Sequence, residues 1–124
     1  MTRSRATAKK AGASFERLIA DHLKAALNDD RIDRQVRTGR LDVGDIAGVR
    51  AWGRPVVVEC KNVAKFTPAQ WCAEAEIERG NRDALAGIVI AKRRGVTRPG
   101  SQWVLMTVDQ LTSLLTGARP EGGE

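Results

Sequence analysis

The run Val56-Val57-Val58-Glu59-Cys60-Lys61 constrains this chain more than any other segment. Consecutive β-branched residues favour a buried strand. Trp52-Gly53-Arg54-Pro55 ahead of it reads as a hairpin turn. After it, Thr67-Pro68 makes a helix start, with Thr as N-cap and Pro at the first helical position. That helix is expected to reach about Arg79 and stop at Gly80-Asn81. Ala86 to Ala91, centred on Ile88-Val89-Ile90, reads as another buried strand. A helix joining two strands is a crossover, so the two strands are expected to be parallel.

The remaining elements follow from periodicity. Phe15, Leu18, Ile19, Leu23, Ala26 and Leu27 recur at helical spacing and predict a helix from about Ala13 to Leu27. Ile32 to Val36 reads as a short strand, Thr38-Gly39-Arg40 as a polar turn, and Val43 to Val49 as a second strand loosened by Gly44 and Gly48. A basic loop, Lys92 to Gln102, leads into Trp103-Val104-Leu105-Met106. Thr107 and Gln110 suggest a capping box for a last helix, Val108 to Thr116. The expected order is α-β-β-β-α-β-β-α, an α/β sandwich around a mixed sheet. One domain is expected over residues 11–116, with a flexible basic arm over 1–10 and a disordered tail over 117–124.

Composition narrows the chemistry. Twenty-one Lys and Arg against 15 Asp and Glu give a net charge of +6. Such a balance favours nucleic acid as a partner, with solubility as the plainer reading. There is no tyrosine to act as a strand-cutting nucleophile, and His22 is the sole histidine. No GxxxxGK[ST] loop is present, so no nucleotide cofactor is expected. No apolar run has the length of a membrane span, and the basic N-terminus lacks the apolar stretch of a secretory signal; a cytoplasmic location is expected, that of the host if the source is viral. Cys60 and Cys72 are too few for a disulfide framework. A nuclease built from this chain needs carboxylates, a lysine and a metal.

Those residues exist at suggestive positions. Residues two apart on a strand share a face, so Glu59 and Lys61 project together with Val57, while Val56, Val58 and Cys60 face the other way. Alone, that pair also fits a structural ion pair. Asp45 lies on the strand expected to fold back on the Glu59 strand. Two carboxylates brought together there repel unless a cation or proton lies between them. Oxygen ligands suit Mg²⁺, with the Cys60 carbonyl as a further candidate ligand. Glu16 falls on the apolar stripe of the first helix, where a carboxylate needs a partner. The expected roles are Asp45, Glu59 and Glu16 on the metal and Lys61 beside the attacked phosphate. Glu16, Asp45, Glu59 and Lys61 are expected to converge in one pocket at the sheet edge.

Phe15-Glu16-Arg17, Val36-Arg37-Thr38-Gly39, Gly44-Asp45 and Val58-Glu59-Cys60-Lys61-Asn62 together resemble the PD-(D/E)xK nuclease superfamily. Within it the chain is most similar to the archaeal-type Holliday junction resolvases, also found in viruses and phages. The likeness covers about Gly12 to Leu115. It implies a restriction-endonuclease-like sandwich and a homodimer that cuts four-way junctions with Mg²⁺, Mn²⁺ substituting, in recombination, repair or the processing of replication intermediates. It also implies phosphate-holding roles for Arg17 and Arg37 and a catalytic-loop position for Thr38. Arg40 and Leu41 depart from the small, glycine-rich loop of that family. Lys92, Arg93 and Arg94, with Arg40, are candidate DNA contacts. Trp71, Trp103, Leu111, Leu114 and Leu115 offer apolar material for a two-fold dimer contact. The competing expectations are a restriction-like or repair endonuclease on linear or damaged duplex, and a basic DNA-binding protein without catalysis.

Overall fold

The β-branched run forms the central strand of a six-stranded mixed sheet. The computed structural model describes residues 4–37 and 39–120. In chain order the elements are α1 (Arg5–Ala26), β1 (Asp33–Arg34), β2 (Ile46–Ala47), β3 (Arg50–Ala51), β4 (Arg54–Lys61), α2 (Pro68–Arg82), β5 (Ala86–Ala91), a 3₁₀ turn at Pro99–Ser101, β6 (Trp103–Leu105) and α3 (Val108–Thr116). The sheet order is β1-β2-β4-β5-β6, with β3 paired to β4. The α2 crossover makes β4 and β5 parallel, from Val56 opposite Ala86 to Lys61 opposite Ala91. All other pairings are antiparallel.

Strand alternation divides the core between the two faces of the sheet. Val56 and Val58, with Cys60 beside them, pack against Phe15, Ile19 and Ala20 of α1. On the other face Val89 and Ala91 pack under Trp71 and Ala75 of α2. Full burial of Phe15 or Ile19 contributes about 1.5–3 kcal/mol each. The α/β sandwich expected from the sequence is therefore present in its coarse form, with helices over both faces of an open sheet.

Several boundaries differ from expectation. Helix α1 begins at Arg5, capped by the Ser4 hydroxyl, which accepts from the Thr7 N–H at 3.1 Å. Ala, Lys and Arg are good helix formers, so Arg5, Lys9 and Lys10 ride on the helix rather than on an arm. Of the expected Val43–Val49 strand only Ile46–Ala47 forms, as β2, and a separate strand, β3, follows it at Arg50–Ala51. Gly48 between them has φ +85°, and a Cβ there would lie 2.3 Å from the Arg31 carbonyl oxygen, so the chain turns where only glycine fits. Helix α2 runs through Gly80-Asn81 to Arg82 and closes at Asp83, which takes a left-handed conformation.

The expected capping box at Thr107 does not form. Gln110 is buried instead. Its Oε1 accepts from the Gly87 N–H at 3.1 Å, and its amide donates to Glu76 at 2.9 Å. The start of the expected tail is tied down as well. The Arg119 guanidinium donates to the Leu85 carbonyl at 3.0 Å and to Gln110 at 2.8 Å. Among the described residues no helix is long and apolar enough to cross a membrane.

Candidate active site

Asp45 is fixed by backbone on three sides. Gly44 before it has φ +99°, and a Cβ there would meet Val57 Cγ1 at 3.0 Å and the Val58 carbonyl oxygen at 3.1 Å. Glycine thus lets the loop press directly on β4. The Asp45 N–H donates to the Val58 carbonyl at 2.8 Å, and the Asp45 carbonyl accepts from the Gln35 N–H at 2.8 Å. The Asp45 carboxylate accepts from the Cys60 N–H at 2.8 Å. The side chain is thereby held at the junction of the β1–β2 ribbon with β4.

Glu59 and Lys61 project from the α2 face of β4, as the alternation predicts. There Glu59 meets Glu78 of α2, and the two residues are only 7% and 5% exposed. Carboxylate oxygens of Asp42, Glu59 and Glu78 lie within 4.8 Å of one another. Glu59 is also within hydrogen-bonding reach of Asp45. Glu59 Oε2 and Glu78 Oε1 are fully buried without a hydrogen-bond partner. The Lys61 ammonium stands at the rim, 3.9 Å from Glu59 and 3.0 Å from Glu74.

The electrostatics follow from this crowding. Burial, reinforced by the charge of Glu59, pushes the Asp45 carboxyl up to about 7. Burial and the contact with Glu78 push Glu59 up to about 9. Burial also raises Glu78. The Cys60 thiol is driven up by burial and then by Asp45 and Glu16. Burial alone pulls Lys61 down, but its hydrogen bond with Glu74 and the charge of Glu59 outweigh that, so its ammonium form is favoured. With its pKa pushed up to about 9, Glu59 holds its proton at neutral pH unless a cation replaces it.

Asp45, Glu59 and Lys61 come together as the sequence suggests, whereas Glu16 stands apart. Helix α1 packs on the Cys60 face of the sheet, and Glu16 Oε1 accepts from Arg34 at 3.0 and 3.2 Å. Its charge still raises Asp45, but its oxygens are not among those gathered around Glu59. Cys60 enters the site through its N–H. Arg17 pairs with Asp33 and, at 3.7 Å, with Asp21. Arg37 pairs with Asp42 at 3.3 Å, and Arg40 is exposed on the same loop. Thr38 lies outside the described residues. Lys92 donates to the carbonyls of Arg93 and Val96, Arg93 stacks on Trp103, and Arg94 is exposed. Of the apolar residues expected at a dimer contact, Trp71 is buried in the chain's own core and Leu114 packs on the α1 cluster, which leaves Trp103, Leu111 and Leu115 exposed.

Glu78, Asp42 and Glu74 were not anticipated. A signal for Glu78 exists: Trp71, Ala75 and Glu78 are the buried residues of α2 and form one helical stripe. A glutamate on an apolar stripe needs a partner, the same argument that singled out Glu16. Asp42 could not be read this way, because its position depends on the loop. Its carboxylate accepts from the Gly44 N–H at 3.0 Å, and its carbonyl accepts from Asn81 at 2.9 Å.

An all-carboxylate donor set with two partnerless buried oxygens fits a hard divalent cation such as Mg²⁺ or Mn²⁺. Comparison with protein-family models, with curated proteins and with solved structures finds no match.

Proposed function

We propose that the protein is a metal-dependent DNA endonuclease of the restriction-endonuclease-like fold, acting by preference on four-way junctions. The observation that carries the reading is the partnerless pair Glu59 Oε2 and Glu78 Oε1, buried beside Asp45 with the Lys61 ammonium at the rim. A DNA-binding protein without catalysis gives no reason for buried carboxyls in such a place, since they oppose phosphate and cost stability.

Asp42, Glu59 and Glu78 would hold the ion, with Asp45 beside Glu59. When bound, a divalent cation acidifies water and offsets charge on a phosphate. The chain's own groups do the rest. The Cys60 N–H aims the Asp45 carboxylate. Glu74 holds Lys61 charged and extended to the rim, where its ammonium donates to a non-bridging phosphate oxygen and orients the attacking water. Arg37, tethered to Asp42, places a second cation beside the path of the backbone. Glu16, through Arg34, secures α1 to β1 and adds negative potential behind Asp45.

Junction preference rests on the resemblance to junction resolvases and on symmetry. Paired cuts at a junction call for two copies about a two-fold axis. The test is cleavage of a labelled four-way junction and of matched linear duplex, each with Mg²⁺ and with chelator. Mg²⁺-dependent cuts confined largely to the junction are expected. Equal cutting of both substrates would favour a restriction-like or repair enzyme, and no cutting of either would overturn the nuclease reading.

A further inference from the structure

Beyond Lys61 the sheet end opens into a cleft of about 930 Å³ between the segment after β4 and the loop after β5. Its lining combines two features. Lys61, Lys92, Arg93 and Arg94 supply positive charge, and among the described lining residues none is acidic. Phe66 and Trp103 present aromatic surface while 57% and 53% exposed. These rings are held rather than loose. Phe66 packs edge-on against the buried Trp71 at 5.0 Å between centroids. Trp103 is stacked by the Arg93 guanidinium at 4.2 Å, and Arg93 also donates to the Ser101 carbonyl at 3.1 Å.

Apolar rings left in water signal an occupant, and the surrounding cations say that the occupant is anionic. Phosphates alternating with flat bases match both features. Base-paired, stacked duplex hides the faces of its bases, so the rings have a partner only where a nucleotide is unpaired or unstacked. We infer that this cleft binds an unpaired DNA segment next to the scissile phosphate, its bases on Phe66 and Trp103 and its phosphates along Lys92 to Arg94. The inference rests on the nuclease reading for its choice of DNA. It extends that reading from four-way junctions to branched DNA that carries single-stranded nucleotides at the cut.

The test is binding without cleavage, in chelator, of the full chain to a short single-stranded DNA, its matched duplex and the same single strand as RNA. Intrinsic tryptophan fluorescence should be quenched by the single-stranded DNA. Trp103→Ala and Phe66→Ala should each weaken that binding roughly ten-fold or more and change duplex binding by less than about two-fold, and Trp103→Phe should recover most of the loss. Trp103 lies half exposed on the edge strand β6, so circular dichroism of the variants should match the parent. Unchanged single-strand affinity in both alanine variants, or equal loss on single strand and duplex, overturns the inference. So does tighter binding of RNA than of DNA, or a dimer in light scattering that Trp103→Ala dissociates. Failure of the nuclease reading would look different: no Mg²⁺-dependent cleavage, with the binding defect of Trp103→Ala intact.

Discussion

Glu59 of β4 and Glu78 of α2 turn carboxyl oxygens into the same dry space, and each leaves one oxygen without a partner. Burial raises both pKa values; their contact raises Glu59 further and lowers Glu78, and a buried anion here opposes folding. Glu78→Gln keeps the shape and removes one charge. In chelator this variant should be more stable than the parent by about 1–3 kcal/mol at neutral pH, measured by urea unfolding. The same variant should lose cleavage by about 100-fold or more, because a buried ligand is gone. A variant both less stable and fully active would contradict the metal role of Glu78.

The raised carboxyls also predict how stability depends on pH without metal. Asp45 is held up to about 7 and Glu59 up to about 9. Unfolded, both ionise near 4. Below about pH 4 both states are protonated and no penalty arises. As pH rises toward 9 the unfolded state releases protons that the folded state keeps, so stability falls. The melting temperature in chelator should therefore drop between about pH 5 and pH 9. Mg²⁺ should raise it, and more at pH 8 than at pH 5, because the ion replaces protons. Differential scanning calorimetry across that range checks both signs.

Lys61 sits at the rim with its charge maintained by Glu74. Lys61→Met should lower the cleavage rate about 10²–10⁴-fold while divalent-ion affinity changes little, because the ammonium serves the phosphate and water rather than the ion. Single-turnover cleavage with saturating Mg²⁺, alongside an ion titration, separates the two effects.

How much of this was legible in the sequence depends on range. Alternation along a strand is local, so Glu59 and Lys61 could be assigned to one face, and the crossover made β4 and β5 parallel. Asp45 could be placed because a hairpin turn links its strand to β4. Glu78 carried a readable mark, a charge on the apolar stripe of α2, but which face of which strand α2 covers is a tertiary fact. Glu16 carried the same mark, and it found Arg34 instead. The spacing showed that it needed a partner without saying which. The end of the second strand at Gly48 turned on a close approach to Arg31, which no local pattern encodes.

That approach is itself testable. Gly48→Ala forces a side chain into a left-handed backbone and against the Arg31 carbonyl oxygen at 2.3 Å. The substitution should cost about 1–3 kcal/mol or more. Because Gly48 lies between β2 and β3, away from the carboxylates, chelator and Mg²⁺ should leave that cost unchanged.

Direct observation of the ion tests the central claim. Free Mn²⁺ gives a paramagnetic resonance signal that diminishes on binding, so titrating the full chain with Mn²⁺ reports occupancy without DNA or cleavage. The parent should bind Mn²⁺ at neutral pH, with Mg²⁺ competing, and Glu59→Gln and Glu78→Gln should each weaken binding by about ten-fold or more. A parent that leaves the Mn²⁺ signal undiminished, or variants that bind as tightly as the parent, would contradict the account.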